Sequence, residues 1–380
     1  MSLHGIRTVA VLELRQRVRT SRWPIVIGIW FLVIGAIAGL TWWAVTSQTG
    51  DGVTTLDRDR GTTLYDVVLF FVLGLGMLVV PSLTATSING DREHGVLATL
   101  QTTLLTSADI IIGKLVAAWT ISIAFLLAAS PFLVWAWIAG GVEIGRMLLA
   151  VVVLVFVLAV VCALGLMFST LTARAVSSAV LTYLAVAALT FGTVIAFLIS
   201  IPILSTHQSV RVKMVPETWF QQHQPANPDD KTSYAEPTAA DCVYVVREQS
   251  VTHMERTWWL LALNPFVVVA DAAPSRKPVT YLGFEPLQMI SDGARTARMG
   301  VTPESLNECW PELQSASLTQ DGVQQPDQQQ RLERDRLNKV HPVWPYGFVF
   351  LGVIGAASTW VAVRRLRTPV HKLPRGTRIA

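Results

Sequence analysis

Apolar and polar stretches alternate along this chain on the scale of whole helices. Six runs carry almost no charge: Pro24–Val45, Leu64–Thr86, Leu115–Ile138, Met147–Thr170, Val176–Leu204 and Val343–Val363. Each is long enough to cross about 30 Å of hydrocarbon as a helix. Backbone N–H and C=O groups in lipid must be satisfied within their own segment, so each run is predicted to be an α-helix. The pattern predicts an all-α integral membrane protein with six transmembrane helices.

The polar stretches divide the rest. Residues 1–23 hold Arg7, Arg15, Arg17, Arg19 and Arg22 against one acid, Glu13. The run after Trp23 exceeds the roughly 7–15 apolar residues of a secretory signal and has no small-residue cleavage site, so it reads as a retained first span. The basic segment before it reads as an interfacial helix along the membrane, with Arg15, Arg19 and Arg22 on one side, or as a plain basic tail that sets topology. The longest interruption among the first five spans, Ile88–Lys114, carries Asp91, Arg92, Glu93, Asp109 and Lys114; it has the length of a helix pair and cannot sit in lipid. A large segment, 205–342, separates the fifth span (the end of 24–204) from the sixth, 343–363. Its apolar island, Trp258–Ala273, is too short to span and is broken at Asn264-Pro265. It reads as an interfacial or re-entrant piece, or as an element of an outer domain. A basic tail, 364–380, has Arg364, Arg365, Arg367, Lys372, Arg375 and Arg378 and no acid.

Composition agrees with a membrane setting: 52% apolar and 15% charged, with mean hydropathy +0.46, where soluble domains run near about 25% charged. The placement of charge predicts orientation. The two termini hold 11 of the 30 Lys and Arg residues and one of the 26 acids, which places both in the cytoplasm of a plasma (inner) membrane protein. Alternation then puts 88–114 and Arg174 inside and 205–342 outside; that outer segment has 13 bases and 17 acids. Membrane lipid is an expected partner, and nucleic acid is not. Cys162 lies in an apolar run as a packing residue. Cys242 and Cys309 both fall in the outer segment, where an oxidising compartment permits a disulfide; two free thiols are the alternative. No Cys/His spacing of a metal site occurs, and His207, His223 and His253 read as solvated.

Missing motifs restrict the chemistry. No G-x-x-x-x-G-K-[ST] phosphate loop occurs, since Gly113-Lys114 is followed by Leu115, and neither G-x-S-x-G nor H-E-x-x-H is present. Span centres lack ionisable groups, with Asp66 and Arg174 near ends, so the relay expected of an ion-driven carrier is missing. Energy for transport would come from a partner.

The 88–114 interruption resembles the signature of type-2 ABC exporter permeases, roughly E-x-G-T-L-x-x-L-x-x-T-P-L-S-x-x-x-I-x-x-G-K. The matching residues are Glu93, Gly95, Leu97, Leu100, Thr103, Leu105, Ile110, Gly113 and Lys114, with Val96 and Leu104 standing where that family has Thr and Pro. The Glu13-Leu14-Arg15 tripeptide is similar to the family's elbow helix, and Asn264-Pro265 with Asp271-Ala272 to its N-P-x-x-x-x-x-D-A. The resemblance implies a non-catalytic permease subunit, in a homodimer or heterodimer, bound to two copies of an ABC nucleotide-binding ATPase. It implies no cofactor on this chain, with ATP and Mg on the partner. A cytoplasmic coupling helix in the loop would engage the ATPase through Glu93, Gly95, Leu97, Gly113 and Lys114. Spans two and five would line the path, with Thr84, Thr86, Ser87, Thr182, Thr190 and Thr193 as polar contacts, although those hydroxyls can equally bond their own helices. Bare span centres lean toward an amphipathic or lipid-like cargo. A membrane-anchored sensor or assembly scaffold with an outer binding segment is the rival from another class.

Overall fold

A computed structural model describes residues 2–19, 22–47, 60–93, 105–223, 236–273, 284–300, 308–310 and 335–366. Among them are six helices long and apolar enough to cross a membrane, and the protein is an all-α membrane protein to which one small β-hairpin is added. The amphipathic-length helix α1 (Leu3–Val18) precedes the first span, α2 (Arg22–Ser47). The second span is α3 (Arg60–Thr84), followed after a two-residue turn by α4 (Ser87–Glu93). The third is α5 (Ser107–Ile138) and the fourth α6 (Ile144–Leu171). The fifth is built from α7 (Ala175–Ala187), a π-helical turn at Ala188–Gly192 and α8 (Thr193–Ile203).

Spans two, three and four form the centre, with 56% of their most apolar stretch buried; the first, fifth and sixth stand around it at 17–22%. The exposed large side chains of α2 and α7–α8, such as Leu32, Trp43, Val176 and Phe191, suit contact with lipid or a second membrane chain. Lipid tails compete evenly with apolar side chains, so helices in a membrane gain most from close approach and polar ties. The turn between spans three and four is made by Gly140 and Gly141, both at positive φ (97° and 88°), which a side chain would strain.

The bundle has two distinct ends. The elbow end gathers α1, α4 and the ends of α5, α6 and the last span, with an apolar cluster of Ile88, Ile110, Ile111, Leu166, Ala362 and Leu366. The opposite, hairpin end carries β1 (Ser205–Met214), α9 (Glu217–Gln222), β2 (Val243–Thr252), α10 (Trp258–Ala262), α11 (Pro265–Ala272) and α12 (Pro286–Met299) before the sixth span, α13 (Trp344–Leu366). Strands β1 and β2 pair antiparallel from Ser205 opposite Thr252 to Met214 opposite Val243. Cys242 and Cys309 are disulfide-bonded, with Cα atoms 5.9 Å apart. The bond holds 308–310 beside the hairpin, where Glu308 N–H donates to the Lys213 carbonyl (2.8 Å).

The apolar island 258–273 divides at Asn264-Pro265, as its sequence break requires. Asn264 caps α11 by accepting the Phe266 N–H (2.8 Å), and Pro265 starts the helix where its missing N–H costs nothing. Helix α12 is an addition to the sequence reading, which placed a solvated helix or linker at Gln324–Lys339 and no helix at 286–299. Its apolar stripe, Leu287, Ile290, Ala294 and Ala297, packs inward. Asp66 at the hairpin end of α3 accepts the Leu287 and Gln288 N–H groups (2.9 and 3.2 Å), capping α12 from another span. Arg298, near its far end, lies between the rings of Trp258 and Tyr346 at 4.5 and 4.7 Å.

Asp271 draws these pieces together. Its buried carboxylate accepts from Arg295 Nε (2.6 Å) and Ser291 Oγ (3.1 Å) on α12, and from the Val343 and Trp344 N–H groups at the start of α13, the latter at 2.9 Å. Asp271→Ala strands a buried guanidinium and uncaps the last span, a loss of about 3–5 kcal/mol for a broken buried pair. A marked fall in thermal midpoint is expected in detergent, with faster hydrogen exchange in α12, and adding Arg295→Met should recover part of it. An unchanged midpoint in the single variant would mean that the carboxylate does not hold α12 and α13.

Candidate functional site

The resemblance singled out the interruption between spans two and three, and much of it is helix. Thr106 and Asp109 form a capping box at the start of α5: Thr106 Oγ1 accepts the Asp109 N–H (3.2 Å), and Asp109 Oδ2 accepts the Thr106 N–H (3.0 Å). The third span thus begins at Ser107, eight residues before Leu115, and Asp109, Gly113 and Lys114 lie inside a helix. Asp109 is no surface handle; it is buried, and its other oxygen accepts the Ser2 N–H (2.9 Å), pinning the start of α1.

Helix α1 lies along this turn of α5. A Cβ on Gly113 would come within 2.7 Å of Val9 Cβ and 3.0 Å of the Ile6 carbonyl, so a larger residue would push α1 away. One residue on, Lys114 is 2% exposed and meets two other helices. Its ammonium donates to Glu13 Oε2 of α1 (2.8 Å) and to Ser87 Oγ of α4 (3.2 Å), and pairs with Asp91 Oδ2 of α4 (2.7 Å). Arg17 pairs with Glu13 (2.9 Å) and donates to the Leu83 carbonyl at the end of α3 (2.9 Å). Two cations and two anions therefore cancel in this cluster. Burial pushes the Glu13 carboxyl up, but Lys114 and Arg17 beside it outweigh burial and hold it below the ordinary carboxylate value.

Helix α4 is also tied to the fourth span. Ser169 Oγ of α6 accepts the Ile88 and Asn89 N–H groups (3.0 and 3.3 Å) in the first turn of α4, and Arg92 donates to the Thr172 carbonyl (3.4 Å). Glu93 ends α4. Gly95, Leu97, Leu100 and Thr103, with Val96 and Leu104, lie outside the described residues. Of the expected coupling residues, the structure brings Gly113 and Lys114 together under α1, beside the helix that Glu93 closes.

The six pathway candidates do not gather at one place. Thr84 is buried against Gly165 of α6 and donates to the Val80 carbonyl (3.0 Å). Thr86 is exposed in the turn before α4, and Ser87 belongs to the Lys114 cluster. Thr182 is buried and donates to the Ser178 carbonyl (2.7 Å). Near it, Tyr183 Oη donates to the Leu78 carbonyl (2.9 Å), making spans two and five neighbours at mid-depth. Thr190 lies within the π-helical turn and Thr193 directly follows it. There Asn264 Nδ2 donates to the Thr190 carbonyl (2.6 Å) and to Thr193 Oγ1 (3.1 Å), so the backbone group loosened by the turn finds a partner in α11's cap.

Six helices long and apolar enough to cross a membrane, with polar contacts gathered at the two ends, make this a multi-pass membrane protein. A family model described as ABC-2 family transporter protein matches residues 7–240, from α1 to just short of β2. The chain belongs to that family: it is the membrane-embedded permease subunit of an ABC transporter, and membership implies an ABC ATPase partner. A search of curated proteins found no match to the chain.

Several site residues were not singled out by sequence. Thr106-x-x-Asp109 is a capping-box pattern and could have moved the start of α5. The stripe Leu287, Ile290, Ala294, Ala297 has helical spacing and could have revealed α12. That Lys114 takes both Glu13 and Asp91 as partners has no local signal, since the partners are 101 and 23 positions away. Lys114→Met leaves two carboxylates facing one another, a cost of about 3 kcal/mol, and is expected to expose α1 to protease. Glu13→Gln in the same chain should relieve part of that cost. Because the folded Glu13 carboxyl titrates below 4.5, its pairing is intact above that pH and is lost as pH falls through the lower folded value. Proteolysis of α1 against pH should show acid release in the parent and a weaker dependence in Glu13→Gln; identical profiles would exclude Glu13 as the tether.

Proposed function

We propose that this chain is the permease of an ABC exporter that moves an amphipathic or lipid-like substrate with ATP and Mg bound on a separate ATPase. The working assembly pairs two permease chains, identical or not, with two ATPase copies. Both termini and the 94–104 loop face the cytoplasm, as the basic termini favour. The outer segment, with its disulfide, faces an oxidising compartment of the plasma membrane's far side.

The observation that supports coupling is the Lys114 cluster. The loop that would meet the ATPase is bounded by α4 on one side and α5 on the other, and one buried ammonium joins both to α1. A displacement of the loop is then shared by three helices instead of being absorbed in a slack connector. Spans two and five, adjacent at Tyr183, form the wall along which substrate passes; the hydroxyls of Thr182, Thr190 and Thr193 are taken by their own helices, so selection rests mainly on shape and apolar contact.

The test is reconstitution in lipid vesicles with the ATPase that co-purifies. Glu93→Ala with Gly95→Pro should lower permease-stimulated ATP turnover, and efflux of an amphipathic dye panel, by roughly tenfold or more, a loss of about 1.4 kcal/mol in coupling. ATPase binding runs through the loop and not through Lys114, so Lys114→Met should uncouple while retaining the ATPase. Stimulation and efflux both intact in the loop variant, or no ATPase co-purifying, would overturn this assignment.

A further inference from the structure

The face of the bundle away from spans two and five contains an apolar groove that the transport reading does not use. It has a volume of about 650 Å³ and runs between α5, α6 and α13 at the elbow end. Small residues open it: Ala159 and Ala163 on α6, and Gly352, Gly355 and Ala356 on α13. From Gly352 to Val363 its wall rises about 17 Å along the helix, close to half of an approximately 30 Å hydrocarbon core, which is the depth of one leaflet. At its mouth Trp360 lines the groove, and the Arg364 guanidinium lies over that ring at 5.2 Å. Arg364 and Arg365 are both exposed, and neither meets a carboxylate within ion-pair distance among the described residues. Residues 364–380 add four more bases and no acid.

We infer that this groove holds one acyl chain of an anionic phospholipid, whose phosphate is drawn to Arg364 and Arg365. The depth of the groove fits a chain that descends from a headgroup through one leaflet. The unpaired arginines supply what a zwitterionic lipid would not exploit, since a phosphate with net negative charge gains from each nearby base. The fourth and sixth spans meet at Gly355, where a Cβ would stand 3.2 Å from Val160 Cγ2, and the groove lies beside that contact. A resident acyl chain fills the space there and touches both α13 and the first turns of α5. This inference needs only the membrane setting, and neither the direction of transport nor the cargo enters it.

Native mass spectrometry of the detergent-purified full chain tests it, with dioleoyl-phosphatidylglycerol and dioleoyl-phosphatidylcholine as matched probes and glycerol phosphate as the free headgroup. Phosphatidylglycerol should be retained at roughly tenfold lower concentration than phosphatidylcholine. Arg364→Gln with Arg365→Gln should erase that preference while leaving weak retention of both lipids. Ala356→Phe, at an exposed position on the groove wall, should reduce retention of both without lowering the thermal midpoint; Ala356→Leu gives a milder plug if the larger one fails to fold. Equal retention of the two lipids by the parent chain would overturn the proposal, as would tight retention of glycerol phosphate, which marks a simple anion site. If Ala356→Phe leaves lipid binding intact, or changes the number of chains in the assembly instead, the groove is not a lipid seat.

Discussion

One ammonium group holds the elbow end in register. Lys114 lies beyond the reach of solvent, and a charge there is tolerable only because Glu13, Asp91 and the Ser87 hydroxyl surround it. The geometry is restrictive, since the carboxylates come from two helices and the lysine from a third. Sliding α1 by one residue would rotate Glu13 away from the ammonium by about 100° and bring a side chain other than Val9 over Gly113. Apolar packing alone could not impose this register in a membrane, where lipid tails substitute readily for leucines. Arg17 completes the neutrality and binds the end of α3, so α1 reports on the position of two spans at once.

The same solution recurs at the hairpin end with a carboxylate at its centre. Asp271 joins α11, α12 and α13, and Asp66 joins α3 to α12. Helix α3 therefore takes part in both clusters, directly through Asp66 and, across the short turn, through Ser87 and Asp91 of α4. Those residues are 25 positions apart, about 38 Å along a helix. Pro81 inside α3 and the turn at 85–86 both lie within that length, so rotation imposed near Asp91 reaches Asp66 only through them. The fifth span is built differently. Its π-helical turn interrupts the regular ladder, and the Asn264 side chain at the start of α11 bonds to the backbone there. Both spans that face the proposed path thus contain an interruption, a proline in one and a π-helical turn in the other.

What the sequence made legible follows from the physics of each signal. Spans were visible because a helix in lipid must be apolar along its whole length, and length alone then identifies it. Their ends were harder: α5 starts eight residues early because a capping box and a buried lysine carry a polar first turn into the protein, where hydropathy sees a break. Helix α12 was missed because half of its four-residue apolar stripe is alanine, on a background of polar residues. The two outer cysteines could be noted as able to pair, but no local pattern specifies which backbone will approach which. The partners of Lys114, Asp271 and Asp66 were hidden for the same reason, since long-range polar contacts leave no periodicity.

The residues that carried the family resemblance are separate in sequence yet converge in space. Glu13 of the E-L-R segment and Lys114 of the terminal G-K are 101 positions apart and form one ion pair. Asn264 and Asp271, at the two ends of the N-P-to-D-A segment, reach respectively to the fifth span and to the start of the sixth. In each case a polar residue that would be costly in lipid is placed where a helix must be tied to its neighbours, and its cost is met by partners on other segments. A motif of this kind describes a mechanical joint. On the proposed reading, in which the loop meets the ATPase, the burial of Gly113 and Lys114 under α1 has a physical reason: a partner can lever α4 and the loop only if the far side of that lever is anchored, and these two residues hold it to α1.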